Sequence, residues 1–189
     1  EIKKKNSNTN TSGTQESEKS TSKAVISAEI IELLTEFVGV PSVNPGNQSI
    51  DENPAFGEKA YVQHVRELME AKGYYCSEQE VLSERTNLLI STSKILGGKP
   101  IILLQTHSDV VEAKEMERAF CARVEQGKIW GRGSCDAKGQ LCAMILATDM
   151  IRGKNDSLPF DICIALCCDE EFQHRGVDKF LDWEHRDKV

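Results

Sequence analysis

Residues 161–171 read Asp-Ile-Cys-Ile-Ala-Leu-Cys-Cys-Asp-Glu-Glu. The run 161–168 is unbroken and of strand length, the kind of sequence shown by a central strand covered on both faces. It then stops in three carboxylates. Acidic groups in succession at the end of a buried strand repel one another unless a positive charge lies close, and a metal ion would supply it. One of Glu170 and Glu171 could then bind the ion while the other takes a proton from water. A solvated acidic strand end is the plainer alternative.

Two other segments end in the same way. Residues 101–105 predict a second strand, and Thr106-His107-Ser108-Asp109 follows it. On extended backbone a His-x-Asp step sends both side chains to one side. The carboxylate of Asp109 can then accept the imidazole N–H and fix the tautomer that faces a metal. The alternative is a structural His beside a surface Asp. The third segment is Gly131-Arg132-Gly133-Ser134-Cys135-Asp136. It predicts a tight turn with Asp136 opening a helix, where a carboxylate either caps the helix or reaches across to a metal. Imidazole and carboxylate together suit divalent zinc, and three such strand ends suit a hydrolytic centre.

Outward from these segments, the periodicity predicts helices over 28–38 (with Ser27 as cap and Ile30, Ile31, Leu34 and Phe37 as the apolar stripe), 54–72, 136–152 and 176–184. It predicts strands over 74–81 and 87–91 and a hairpin over 122–130 turning at Gln126-Gly127. Strands alternating with helices give an α/β fold: a central, mostly parallel or mixed sheet with helices on both faces. Ligand sites in such sheets lie beyond the carboxyl ends of the strands, where His107 and Glu170 fall.

Composition narrows the partners. Of 189 residues 39% are hydrophobic, enough for one core, and a net charge of −7 with no basic patch argues against nucleic acid. Residues 1–26 are polar, carry the only basic run (Lys3-Lys4-Lys5), and read as a disordered tail. The seven cysteines form no CxxC pair, which points to a reducing compartment and so to the cytoplasm. Because the first residue is Glu, a removed export signal stays open. No apolar stretch is long enough to span a bilayer. Cys167 and Cys168 read as strand lining, and His64, His174 and His185 as surface residues. No GxGxxG or GxxxxGK loop supports a nucleotide-binding domain.

The segments 33–45 (LLTEFVGVPSVNP), 103–111 (LLQTHSDVV), 127–139 (GKIWGRGSCDAKG) and 169–171 followed by Gly176 resemble the M20 family of zinc aminoacylases and peptidases. That group includes acetylornithine deacetylase, succinyl-diaminopimelate desuccinylase and the carboxypeptidase G type. The spacing is also family-like, with 29 residues from His107 to Asp136 and 34 from Asp136 to Glu170. The resemblance implies a zinc-exopeptidase-like fold and two zinc ions, with cobalt and manganese open as alternatives. By it His107 binds one ion, Asp136 bridges both and Glu171 binds the other. Glu170 is the general base, and Asp109 joins the catalytic set by orienting His107. It further implies a cis peptide at Asp136–Ala137 and a substrate that is an N-acyl amino acid or small peptide. Residues 27–189 would form the N-terminal part of the catalytic domain. The family's later ligands and its lid domain have no counterpart here, so pairing of two copies is open only to a chain that carries the lid. The rival expectation is a truncated, non-catalytic relative with a binding or vestigial role.

Overall fold

The computed structural model describes residues 28–94, 96, 98–153 and 158–189. The tail 1–26 and the cap Ser27 lie outside the described residues. Strand β6 (Asp161–Cys167) is buried along its whole length, as its continuous apolar run requires. It lies between β2 (Arg85–Ser91) and β3 (Ile101–His107), in a sheet ordered β1-β2-β6-β3 with β1 (Tyr75–Leu82) at one edge. The β3–β6 pair is parallel and the other two pairs are antiparallel, so the sheet is mixed and not mostly parallel. A separate two-stranded hairpin, β4 (Arg123–Glu125) and β5 (Lys128–Trp130), turns at Gln126-Gly127 as expected.

The alternation of side chains along β6 builds two cores. Ile164 and Leu166, with Leu88 and Ile90 of β2, pack against three helices. These are α1 (residues 28–39), α2 (Lys59–Ala71) and α3 (Lys138–Arg152). Cys163, Ala165 and Cys167 face the other way, toward Phe180 and Trp183 at α4 (Arg175–Phe180) and just beyond it. Helices therefore cover both faces. Truncating Leu166 to Ala would cost about 2–5 kcal/mol, because it leaves a cavity in the larger core.

Several boundaries move for local reasons. In α1 the inward stripe is Leu33, Leu34, Phe37 and Val38, while Ile31 faces solvent. The helix predicted from 54 starts at Lys59, because Gly57 takes φ 84 and Phe56 bridges to Val43 instead. The last helix ends at Phe180, short of residue 184. Helix α3 starts at Lys138, and Asp136 does not cap it: the N-cap is Ala137, with no side-chain hydrogen bond.

Candidate metal centre

The parallel register sets the site. His107 of β3 pairs with Cys167 of β6, so both strands end at the same level of the sheet. A helix that follows β3 and leads back to a parallel neighbour must begin at that end. That is where α3 starts, and Asp136 sits just before it. Gly133, at φ 84, lets the preceding turn lie close: a Cβ there would stand 2.8 Å from Val110 Cγ1 and 3.2 Å from Lys138 Cδ. The Asp136–Ala137 peptide is cis.

One ligand atom each from His107, Asp136 and Glu171 falls within 4.8 Å of the others. His107 Nε2 lies 3.0 Å from Asp136 Oδ1 and 3.7 Å from Glu170 Oε2. His107, Asp136 and Glu170 border a cleft of about 480 Å³, walled also by Gln105, Thr106, Gln140 and His174. A larger groove of about 630 Å³, beside Pro41, Phe56 and Lys59, contains none of them. Chemistry, not size, marks the site.

His107 is oriented differently from the expectation. Its Nδ1 lies 3.0 Å from the backbone carbonyl of Asp109, which can only accept, so Nδ1 carries the proton. The Asp109 carboxylate is farther, at 3.5 Å. Its oxygens instead accept the backbone N–H of Glu170 (3.0 Å) and Glu171 (2.9 Å) and the amide of Asn44 (2.6 Å). Asp109 thus fixes the tautomer through its main chain and pins the two glutamates through its side chain.

The electrostatics are those of a site short of positive charge. Burial pushes the His107 imidazole down, but Asp109, Asp136 and Glu170 outweigh it and raise its pKa to about 9. Burial raises the Glu171 carboxyl; His107 draws it down, while Asp136, Asp109 and Glu170 push it further up. Asp109 is held below the usual carboxylate range: burial works against this, but His107, Asn44 and the two backbone N–H groups prevail.

Asp169, expected as one of three clustered acids, points away from the cleft. It is fully buried and bound by Arg85 (3.0 Å) and Arg175 (2.6 Å). For this carboxylate the compensating charge is arginine, not metal. Counting Glu58, which pairs with Arg85, six carboxylates meet two guanidinium groups and the His107 imidazole, so negative charge exceeds positive. The imidazole–carboxylate donor set and this surplus fit divalent cations.

Sequence reasoning passed over Asn44, Glu58 and Arg85, whose partners lie far away along the chain. A buried Arg at the head of an apolar strand was the one available signal. His174, read as a surface residue, is exposed but stands 3.8 Å from Glu170 on the cleft rim. Cys167 and Cys168 line the buried strand as expected, and burial pushes both thiols up, Cys167 to about 12.

The family model described as Peptidase family M20/M25/M40 matches residues 103–189, the stretch that carries all of these site residues except Asn44, Glu58 and Arg85. A succinyl-diaminopimelate desuccinylase of Orientia tsutsugamushi (strain Ikeda) is 30% identical over 164 residues, covering 82% of this chain and 38% of that protein. Human carnosine dipeptidase 1 superposes with a TM-score of 0.62 at 18% identity, covering 76% of this chain and 32% of the other. The Bacillus subtilis YXEP protein, described as a dinuclear metal-binding peptidase from the M20 family, gives a TM-score of 0.51 at 15% identity, covering 84% and 40%. The two structures show likeness of fold. The chain spans less than two fifths of the length of the curated relatives it matches. Among the described residues no helix is long and apolar enough to cross a membrane.

Proposed function

The chain belongs to peptidase family M20/M25/M40, and from that premise we propose that the protein hydrolyses an amide or peptide bond with divalent metal, zinc by preference. The substrate class is an N-acyl amino acid or a small peptide. One observation carries the reading: His107, Asp136 and Glu171 present ligand atoms within 4.8 Å, and Glu170 stands beside them. The desuccinylase and dipeptidase relatives support the substrate class, and the dinuclear neighbour supports a pair of ions.

His107 would hold one ion, Glu171 the other, and Asp136 would lie between them. When bound, such ions polarise an amide carbonyl and make water a nucleophile at neutral pH. The chain does the rest. The Asp109 carbonyl keeps the His107 proton on Nδ1, so Nε2 stays available on the cleft side. Asp109 holds the glutamate backbones, which leaves the Glu170 side chain free in the cleft. A Glu170 carboxylate oxygen takes the proton from the attacking water and returns it to the leaving amine nitrogen. General base catalysis of this kind is worth about 100–10,000-fold.

The test is Glu170→Gln in the full protein, assayed on N-succinyl and N-acetyl amino acids and on dipeptides. Turnover should fall by about 100–10,000-fold while bound zinc, measured by elemental analysis, stays at the wild-type stoichiometry. Activity within a few fold of wild type would refute Glu170 as the base.

A further inference from the structure

The turn after β6 is fixed by a charge network that does not touch the cleft. Glu58 Oε1 and Oε2 each meet the Arg85 guanidinium at 2.6 Å, and Arg85 Nη2 reaches Asp169 Oδ1 at 3.0 Å. Arg175 binds Asp169 through Nε at 2.6 Å and Nη2 at 3.1 Å. The Asn44 amide bridges Asp169 (3.1 Å) to Asp109 (2.6 Å). Glu58, Asp169 and Asp109 are fully buried, and Arg85 is nearly so.

The backbone shows what this network grips. Three consecutive N–H groups end on its carboxylates: Asp169 on Glu58 at 3.1 Å, Glu170 on Asp109 Oδ1 at 3.0 Å and Glu171 on Asp109 Oδ2 at 2.9 Å. Each peptide of the acid turn is therefore tied to a side chain from another part of the fold. Stability alone does not account for such an arrangement, because apolar groups of similar volume often replace a buried ion pair at no net cost. Apolar replacements, though, cannot accept the three main-chain donors that these carboxylates hold and that set where the next side chains emerge.

Resting on the metal reading above, we infer that Arg85, through Glu58 and Asp169, is a positioning residue for the Glu170–Glu171 pair. It sets the placement of Glu171 toward the metal and of Glu170 toward the substrate, without contacting either. Partners that orient a ligand change metal affinity by about 10–100-fold when removed. The sign separates positioning from simple electrostatics. With the geometry intact, deleting the Arg175 charge would tighten cation binding and deleting the Arg85–Glu58 pair together would leave it nearly unchanged, whereas losing the position weakens it.

The experiment uses the full protein as wild type, as the double variant Arg85→Met/Glu58→Leu and as Arg175→Gln. Zinc affinity is measured by competition with a chromophoric chelator, the cobalt(II) absorption spectrum reports ligand geometry, and thermal unfolding of the metal-free protein reports stability. The double variant should keep much of its stability, bind zinc about 10–100-fold more weakly and show an altered cobalt spectrum. Wild-type or tighter affinity with an unchanged spectrum in the folded double variant overturns the inference alone. Should the double variant not fold, Arg175→Gln decides by the same criteria; Arg175 is partly exposed and its side chain bonds to Asp169. Wild-type protein that binds no zinc overturns the metal reading, and this inference with it.

Discussion

Two sets of carboxylates meet around the turn after β6 and live in opposite environments. Asp109, Asp169 and Glu58 are buried and bound by Asn44, Arg85, Arg175 and backbone N–H groups. Asp136 and Glu170 open on the cleft with Glu171 beside them; the Asp136 side chain is 68% exposed, and the partners in reach are imidazoles, His107 and, for Glu170, His174. The difference teaches how acid groups divide labour. An inner tier with satisfied oxygens is a fixed frame, since losing a partner there strands a buried charge. An outer tier left short of partners is free to take cations and protons.

The largest expected break of this contrast is in turnover. Glu170→Gln, in the outer tier, should cost about 100–10,000-fold in kcat with little change in the unfolding midpoint. A large loss of stability in that variant would show that Glu170 belongs to the frame. Next comes the inner tier. Asp169→Ala leaves Arg85 and Arg175 facing no carboxylate at that position, and should lower stability by about 3–5 kcal/mol in denaturant titration. A change under 1 kcal/mol would erase the distinction between the tiers.

Acid titration sharpens the same point. Asp169 is held below its ordinary value of 3.8: burial pushes it up, but Arg175, Asn44 and Arg85 outweigh that. A depressed carboxylate stabilises fully above its unfolded pKa, and the contribution is lost as pH falls through the folded one. The stability gap between wild type and Arg175→Gln should therefore be full above about pH 4 and close on further acidification. A gap that widens in acid would contradict the assignment. Smallest is Asp136→Asn, which should shift metal-free stability by no more than about 0.5 kcal/mol while zinc affinity drops sharply in chelator competition. A substantial destabilisation would return Asp136 to a structural role.

The chain by itself determined the layered fold, because the apolar run 162–168, short and bounded by charged residues, fits a strand covered on both sides. It also announced the strand ends, since His107 and Glu170 stand where the apolar runs stop, with Asp136 marking the start of α3. Element boundaries shifted where backbone geometry intervened, as at Gly57 with its φ of 84. Local sequence does not encode pairing direction, so the choice of a mixed over a mostly parallel sheet came only from the tertiary structure. The same holds for the division of the acids. Asp169, Glu170 and Glu171 are neighbours of one chemical type, and nothing in their order says that the first turns inward. Arg85 and Glu58 decide it, and they meet Asp169 from 84 and 111 positions away, because long-range contacts, not local propensity, determine where a buried charge finds its partner.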